Sequence, residues 1–446
     1  MCVITGVYHR KTNTRSQKIP PFLYTQILLL LLNTLSSPSF THTHSNSLLK
    51  RSIQSMENSI QFDLIVVGAG VMGSSTAYYA AKHGLKTLLL EQFDFLHHRG
   101  SSHGESRTIR ATYLQPHYYP LVLQSYKLWL EAQAQVGYNV YFKAPHLDMA
   151  HFNDPTILAV IENCRKHGAQ HHLLNHMQVA QKFSGNFNIP EDWVGLSTEH
   201  GGVIKPSKAV AMFQTLAYKN GAVLKDNAEV TDIKNDGGVV VLTASGEKFH
   251  GKKCVVTVGA WVNKLVKKIN GVELPILPVE CHVTYWRITE GHEGKFAIGN
   301  DFPTFASFGS VYVYGTPTLE YPGLIKVAVH GGNPCDPDKR PWGPLVMMNE
   351  LKEWVEGRFS GLVDSSEPVV KQSCMYSMTP DEDFVIDFLG GEFGKNVVLG
   401  GGFSGHGFKM APVIGKILTQ LVVDGETNEV DLKHFRIGRF NLTSKI

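Results

Sequence analysis

The chain has 446 residues, 43% of them hydrophobic and 18% charged, which is a globular mixture long enough for two domains. Its formal net charge is +3, but residues 1–55 contain six basic residues and no acidic one, so the rest of the chain is slightly acidic. Nothing in this charge balance indicates nucleic-acid binding. The six cysteines are widely scattered, and their spacing indicates neither a zinc site nor a redox dithiol.

Residues 1–55 differ in composition from the rest of the chain. They combine basic residues, a short apolar stretch at Phe22–Leu32 and a tail rich in Ser, Thr and His, a pattern typical of signal or transit segments. The apolar stretch is too short for a transmembrane helix. We therefore expect residues 1–55 to lie outside the fold, either as a targeting segment or as an untranslated stretch, because Met56 offers a second start.

The first predicted elements of the fold surround a glycine-rich turn. Phe62–Val67 is an apolar, β-branched run typical of a buried parallel strand. In the turn that follows, Gly68 permits a tight bend, Gly70 permits close approach of a pyrophosphate, and Gly73 permits a helix to pack closely on the strand. A helix is predicted over Ser74–His83.

A second predicted strand, Thr87–Leu90, ends in Glu91, where a carboxylate could accept hydrogen bonds from an adenosine ribose. The glycine motif alone is weak evidence, because such turns occur in other α/β proteins. The order of these features, from the first strand through the glycines and the helix to the second strand and the acidic residue, predicts a dinucleotide-binding βαβ unit.

The remaining elements alternate between helices and strands. In chain order they are a polar helical region Asp148–Trp193, a helix Ser207–Asn220, short strands Ala222–Leu224, Glu229–Ile233 and Val239–Ala244, a buried strand ending in a glycine turn within Lys253–Trp261, and strands His282–Ile288, Val311–Tyr314 and Leu324–His330. The alternating pattern over residues 276–330 predicts a large, mostly antiparallel sheet suited to the wall of a substrate cavity. We expect the chain to return to the first domain near residue 370.

Several motifs together resemble the sarcosine oxidase and pipecolate oxidase family, within the wider D-amino-acid-oxidase-like fold. They are Gly68–Gly73, Glu91, Ser101–Arg110, Gly201–Pro206, Lys326–His330, Cys374–Pro380 and Gly402–Lys409. The resemblance extends from Phe62 to about residue 425. The segment that opens Cys374-Met-Tyr is most similar to the monomeric sarcosine oxidase type.

The resemblance implies a mixed α/β and α+β fold, in which a Rossmann-type FAD-binding domain is interleaved with a mostly antiparallel β-sheet substrate domain. The expected FAD-binding domain comprises residues 60–145, 198–275 and 370–430, the substrate domain comprises residues 146–197 and 276–369, and residues 431–446 form a C-terminal tail.

The resemblance also implies FAD as the cofactor, joined through its 8α carbon to the sulfur of Cys374. Such a cysteine must react as a thiolate, which requires a positive neighbour. The expected cofactor-binding residues are Gly68, Ala69, Gly70, Val71, Met72, Gly73, Glu91, Gln92, Ser101, His103, Arg107, Val230, Cys374, Gly402, Ser404, Gly405, His406, Gly407 and Lys409.

For catalysis, the resemblance implies that Arg107 stabilises the anionic reduced flavin and that Arg110 and Lys409 bind the substrate carboxylate. Lys326 and His330 are four residues apart, so a strand would place both on one face. The resemblance assigns Lys326 to oxygen activation, and it implies that His330 positions the substrate's amine or carboxylate or assists proton movement. Tyr314 and Tyr376 are expected to line the pocket, although packing alone would also explain them.

The function implied is oxidation of a secondary amino acid by oxygen, with sarcosine as the first expectation and L-pipecolate as the alternative. The sequence also leaves proline or a larger N-methyl amino acid open as the substrate. A dehydrogenase with another electron acceptor and a flavin-binding protein without activity remain further alternatives. We expect a monomer that binds a small amino acid and oxygen, with no metal, nucleic acid or membrane partner.

The last three residues, Ser444, Lys445 and Ile446, nearly match the Ser-Lys-Leu address read by the peroxisomal import receptor. Because the implied chemistry produces hydrogen peroxide, the peroxisome is the expected location. The cytosol, or an organelle reached through residues 1–55, is the alternative.

Overall fold

The computed structural model describes residues 61–340, 343 and 346–440. The predicted leader, residues 1–55, and the C-terminal tripeptide, residues 444–446, lie outside this range. Within the described part of the chain, no helix is both long and apolar enough to cross a bilayer.

The described residues form strands β1–β17 and helices α1–α8. The strands are β1 Phe62–Val67, β2 Thr87–Leu90, β3 Arg107–Arg110, β4 Tyr141–His151, β5 His172–Leu174, β6 Trp193–Ile204, β7 Val223–Lys225, β8 Val230–Asn235, β9 Val239–Thr243, β10 Lys248–Val256, β11 Leu277–Arg287, β12 Thr304–Phe308, β13 Val313–Thr316, β14 Leu324–Val329, β15 Val370–Met378, β16 Val385–Phe388 and β17 Val397–Gly401. The helices are α1 Val71–Lys82, α2 Tyr118–Val136, α3 Pro155–Lys166, α4 His176–Lys182, α5 Pro206–Lys219, α6 Val262–Asn270, α7 Met348–Phe359 and α8 Ala411–Val423.

The first sheet contains the predicted dinucleotide-binding unit. Its strands run in the order β16-β17-β10-β1-β2-β7, and β17, β10, β1, β2 and β7 are parallel. The antiparallel hairpin β8–β9 extends from β10. Both predicted strands around the glycine turn are confirmed with their predicted bounds. Helix α1 begins at Val71, three residues before the predicted start, because Gly70 already serves as its N-cap.

The second sheet has the order β15-β11-β14-β13-β12-β4-β6-β3, with β5 paired to β6. Every pairing in it is antiparallel except that of β12 with β4. The prediction of a mostly antiparallel sheet is therefore confirmed. Strand β15 pairs with β11, so residues 370–378 belong to this second sheet, and the chain rejoins the first sheet only at β16.

The prediction of a helical region over Asp148–Trp193 is only partly right. Helices α3 and α4 lie inside it, but Asp148 lies in the eleven-residue strand β4, and Trp193 begins β6. Strand β4 is central, with β6 on one side and β12 on the other. These neighbours complete its backbone hydrogen bonds, and such tertiary pairing overrides local sequence preference.

Helix α1, next to the glycine turn, is almost entirely buried. Ten of its twelve residues are buried, and it packs against α5 and α8 over the first sheet. Small residues make this possible: a Cβ at Gly415 of α8 would lie 2.3 Å from the hydroxyl oxygen of Ser75. This packing fixes the start of α1, and with it the backbone that faces the cavity described next.

Candidate active site

A cavity of about 400 Å³ is lined by residues of both sheets. This volume lies in the range typical of small-molecule sites. Most of the predicted site residues line it, namely Gly68, Ala69, Gly70, Val71, Met72, Glu91, Gln92, Ser101, Arg107, Arg110, Val230, Tyr314, Lys326, His330, Cys374, Tyr376, Gly405, His406, Gly407 and Lys409. The cavity therefore connects the glycine turn to the cluster of cationic side chains.

Four residues predicted to bind the cofactor do not line the cavity: Gly73, His103, Gly402 and Ser404. Gly73 instead packs against the turn, since a Cβ there would lie 1.8 Å from the carbonyl oxygen of Gly68. The Ser404 hydroxyl accepts the backbone N–H of Thr379 at 3.1 Å and so holds the later glycine loop in place. These residues support the lining without forming it.

The glycine-turn end of the cavity presents polar backbone and a carboxylate. Helix α1 has no side-chain cap, and the N–H of Val71 is bonded to the Ser102 hydroxyl at 3.1 Å. A helix N-terminus that follows a glycine-rich turn favours a phosphate. The buried carboxylate of Glu91 accepts the N–H of Ala69 at 2.7 Å and that of Phe93 at 3.1 Å. This end therefore fits the ADP portion of FAD.

Cys374 lies in β15 on the cavity wall and is buried. The guanidinium of Arg107 donates to its sulfur at 3.6 Å. Arg107 is itself held by the carbonyl oxygens of Ser106, Ser101 and His103 at 2.7–3.0 Å. The pKa of the Cys374 thiol is held well below its usual range by hydrogen bonding from Cys281, and then by His103 and Arg107, despite burial, which acts in the opposite direction.

Arg110 and Lys409 form a cationic pair in the same cavity. Arg110 donates to Thr112 and to the hydroxyl of Tyr312, both at 3.3 Å. Lys409 donates to the hydroxyl of Tyr113 and to the carbonyl of His406, both at 2.9 Å. Burial, and then the charge of Arg110, hold the pKa of Lys409 well below its usual range. A bound carboxylate would relieve this repulsion.

A buried carboxylate lies near the cationic pair. Asp148 and His146 are both fully buried in β4 and bonded to each other at 3.1 Å. Burial lowers the pKa of Arg110. The opposite effects of Tyr312 and then Asp148 are larger together, so the arginine pKa is raised overall. The charged form of Arg110 is thus stabilised by its protein neighbours.

Lys326 lies within β14 and His330 directly follows its last residue, and both line the cavity, as their even spacing predicts. The ammonium of Lys326 donates a hydrogen bond to the carbonyl of Ser106 at 3.0 Å. Burial, and to a smaller extent the positive charge of Arg107, lower the pKa of Lys326 to about 7. Burial, and then the positive charges of Lys409 and Arg110, lower the pKa of His330 to about 4. Its imidazole is therefore neutral at physiological pH.

Tyrosine rings surround His330. The rings of Tyr312 and Tyr376 lie 4.8 Å and 5.2 Å from the imidazole, centroid to centroid. The hydroxyl groups of Tyr314 and Tyr376 are 3.4 Å apart. A Cβ at Gly405 would lie 2.9 Å from the His330 ring, so glycine at this position keeps the pocket open.

Several residues in or beside the cavity were not among the sequence predictions: Tyr113, Asp148, Cys281 and Tyr312. Tyr113 follows the predicted Arg107–Arg110 pair closely, and Tyr312 belongs to the predicted strand Val311–Tyr314, so local position could have suggested both. Asp148 and Cys281 carry no local signal, because only the pairing of distant strands brings Cys281 to the cavity and Asp148 beside it.

Comparison with known proteins agrees with this geometry. A family model described as FAD dependent oxidoreductase matches residues 63–421. The chain is 61% identical over 386 residues to a probable sarcosine oxidase from Arabidopsis thaliana, covering 85% of this chain and 93% of that protein. It is 37% identical over 387 residues to the peroxisomal sarcosine oxidase of Homo sapiens, covering 85% and 96%.

A solved structure shows the same fold. NikD, an unusual amino acid oxidase essential for nikkomycin biosynthesis, superimposes with a TM-score of 0.73 at 23% identity, covering 85% of this chain and 98% of that chain. At this identity the likeness concerns the fold alone.

Proposed function

The chain belongs to the family of FAD-dependent oxidoreductases, and we propose that it oxidises sarcosine with oxygen. The products are glycine, formaldehyde and hydrogen peroxide, and one water is consumed. The observation that carries the proposal is the cationic pair of Arg110 and Lys409 in the same cavity as Lys326. The sarcosine oxidases among its relatives support the choice of substrate.

Binding of the substrate carboxylate is the task proposed for Arg110 and Lys409. The planar guanidinium of Arg110 suits a bidentate contact with a carboxylate. Burial and repulsion by Arg110 lower the pKa of Lys409, and a carboxylate between the two side chains would favour its charged form. The negative ligand is therefore favoured more strongly here than at an exposed arginine.

The substrate amine must be neutral before a hydride equivalent can leave the adjacent carbon. The neutral imidazole of His330, with Tyr376 beside it, offers a polar surface without charge. The Arg110–Lys409 pair also disfavours a nearby ammonium. FAD, when bound, accepts the hydride equivalent and passes the electrons to oxygen.

Oxygen activation is the task proposed for Lys326. Its ammonium is buried and lies 5.4 Å from the centroid of the Tyr314 ring. A positive charge in such a dry site stabilises the negative charge that develops on oxygen. Because burial lowers its pKa to about 7, the developing anion would also hold this lysine in its charged form.

We propose further that Cys374 carries the flavin as a thioether. Its sulfur lines the cavity, and the nearby Arg107 favours the thiolate that attachment requires. L-Pipecolate remains the alternative substrate, because the same cationic pair would hold its carboxylate, but the named relatives favour sarcosine. A flavin-binding protein without activity would not need Arg110, Lys326 and Lys409 in one cavity.

The test is hydrogen peroxide release from sarcosine and from L-pipecolate, with acid precipitation of the protein to locate the flavin. We expect peroxide mainly from sarcosine, flavin that stays with the precipitate, and release of that flavin in Cys374→Ser. Lys326→Met should slow the reaction with oxygen while flavin reduction by sarcosine continues. The exposed Lys248→Met serves as the control. Turnover of L-pipecolate alone would reverse the substrate assignment.

The proposed location is the peroxisome, with the chain acting as a monomer. The human relative is named as peroxisomal, and the proposed reaction releases hydrogen peroxide. The import receptor would read Ser444, Lys445 and Ile446, which lie outside the described residues. A fluorescent protein fused before the full chain should enter peroxisomes, and deletion of these three residues should leave it outside.

A further inference from the structure

Strand pairing brings a second cysteine to Cys374. Cys281 in β11 is directly opposite Cys374 in β15. Residues opposite each other in an antiparallel pair point to the same face of the sheet, with Cα atoms about 4.5–5.5 Å apart. That distance lies within the range over which a disulfide can form. Both cysteines are free thiols, both are buried, and both line the cavity.

From this geometry we propose that Cys281 and Cys374 are a redox pair that forms a reversible disulfide before the flavin is attached. The inference rests on the proposed function in two respects. Sarcosine oxidation by flavin-loaded copies of the chain would supply the oxidant, hydrogen peroxide, to flavin-free copies, and flavin attachment would compete for the same sulfur. It departs from the sequence prediction that no redox dithiol is present.

The two thiols differ in a way that suits such a pair. Hydrogen bonding from Cys281, with His103 and Arg107 nearby, favours the thiolate of Cys374 by holding its pKa well below the usual range. Burial, and then the neighbouring Cys374, raise the pKa of Cys281 well above its usual range, so that thiol keeps its proton. Cys374 is therefore the nucleophile, and Cys281 is the resolving thiol.

The reaction balances with one peroxide. The Cys374 thiolate attacks hydrogen peroxide, takes one oxygen as a sulfenic acid, and releases water after one proton is taken up. The sulfur of Cys281 then displaces the hydroxyl group, the S–S bond forms, and a second water leaves with the proton of Cys281. In total two thiols are oxidised and one peroxide is reduced to two waters.

This pairing has a consequence for cofactor loading. A sulfenic acid that meets no second thiol is oxidised further to a sulfinic acid, which reductants do not reverse. A disulfide with Cys281 is reversed by thiol reductants, so Cys374 remains recoverable for flavin attachment. Once Cys374 is a thioether, Cys281 has no partner across the strand and stays a buried, protonated thiol.

The test uses the full chain from a riboflavin-starved host, treated with hydrogen peroxide and mapped by mass spectrometry without reduction. We expect a linked peptide joining Cys281 to Cys374, and a loss of two titratable thiols from the six in the chain. Reduction followed by incubation with FAD should restore covalently bound flavin to the untreated level. The flavin-loaded chain, given the same peroxide, should show no linked peptide.

Two variants sharpen the test. In Cys281→Ser, peroxide should convert Cys374 to a sulfinic acid, and reduction should not restore flavin attachment. Cys335→Ser changes a more exposed cysteine near the same sheet and should leave the linked peptide unchanged. Circular dichroism before treatment confirms that each variant is folded, and the wild-type mapping does not depend on either variant.

The outcomes separate this inference from the proposed function. If Cys374 of the wild-type flavin-free chain stays a free thiol, or becomes a sulfinic acid with no link to Cys281, the redox pair is refuted. If the linked peptide forms but the loaded chain neither holds flavin after acid precipitation nor oxidises sarcosine, the proposed function fails and the redox pair stands.

Discussion

At the scale of single residues, Arg110 offers a direct test of carboxylate binding. Arg110→Lys keeps the positive charge but loses the planar fork that contacts Thr112 and Tyr312. We expect the KM for sarcosine to rise roughly ten- to hundredfold, corresponding to about 1.5–3 kcal/mol for a charged hydrogen bond. Steady-state peroxide release measures it.

The control for this prediction is Arg165→Lys, which changes an exposed arginine of α3. It should leave the KM unchanged. A similar test without turnover is the affinity for acetate, read from the flavin absorbance. If Arg110→Lys lowers kcat but affects neither the KM nor acetate binding, Arg110 does not bind the carboxylate.

Tyr113 holds Lys409 and makes a second prediction at this scale. Its hydroxyl accepts a hydrogen bond from the Lys409 ammonium at 2.9 Å, and its ring lies 5.0 Å from the guanidinium carbon of Arg110. Tyr113→Phe keeps the ring but removes the acceptor, and we expect a KM increase of about three- to tenfold. Tyr138→Phe, which removes an exposed hydroxyl, should have no effect. Equal KM values for all three proteins would contradict the prediction.

How far single residues could be predicted depends on whether their partners are close in sequence. Lys326 lies in β14 and His330 directly follows it, so a two-residue period was enough to predict that both reach the same cavity. Cys281 reaches the cavity because β11 pairs with β15, and Asp148 acts on Arg110 from β4, which pairs with β12. No local pattern in the sequence encodes those pairings.

At the scale of elements, the tight packing of α1 against the glycine turn gives a third prediction. A Cβ at Gly73 would lie 1.8 Å from the Gly68 carbonyl oxygen and 2.6 Å from the Thr257 hydroxyl. The backbone would have to move, so we expect Gly73→Ala to destabilise the fold by about 1–3 kcal/mol or more and to weaken FAD binding. Urea unfolding and flavin fluorescence measure the two effects.

A glycine in another helix provides the matched control. Gly357 lies within α7, and a Cβ there would meet nothing within 4 Å. Gly357→Ala should stabilise the protein by about 0.5–1 kcal/mol, since alanine is the better helix former. If both substitutions shift the urea midpoint equally, close packing is not the reason for Gly73.

Elements were predicted well where local sequence and tertiary context agree. Strands β1 and β2 are short apolar runs buried on both faces, and both were predicted with their observed bounds. The region Asp148–Trp193 was misjudged because its polar composition resembles a helix, whereas its first strand is stabilised by two neighbours from distant parts of the chain. Helix α3 within it does carry a local signal: Asp154 caps it and Pro155 begins it.

At the scale of the whole molecule, the two-sheet architecture followed from the sequence, but the points at which the chain crosses between sheets did not. Strand β3 and strand β15 both lie in segments predicted to belong to the FAD-binding domain, and both pair within the second sheet. They bring Arg107, Arg110 and Cys374 to the cavity. The division into domains therefore remains a prediction, because the active-site residues lie where the two sheets meet at one cavity.

Two buried bases make the stability of the flavin-free chain depend on pH. Burial lowers the pKa of Lys326 from 10.5 to about 7 and that of His330 from 6.5 to about 4. Between the two values for each group, the unfolded chain binds a proton that the folded chain does not. Stability must therefore rise with pH across both windows, by about 1.4 kcal/mol per pH unit for each proton.

Two substitutions assign these windows. Lys326→Met removes the base that acts between pH 7 and 10.5, so the variant should be more stable than the wild type at pH 7.5, by a margin that shrinks toward pH 9.5. His330→Asn should flatten the rise in stability between pH 4 and 6.5 and leave the rise in stability between pH 7 and 10.5 unchanged. Urea unfolding at a series of pH values measures both. A margin for Lys326→Met that stays constant from pH 7.5 to 9.5 would mean that this lysine keeps its proton in the folded chain, bringing it to the oxygen reaction already charged.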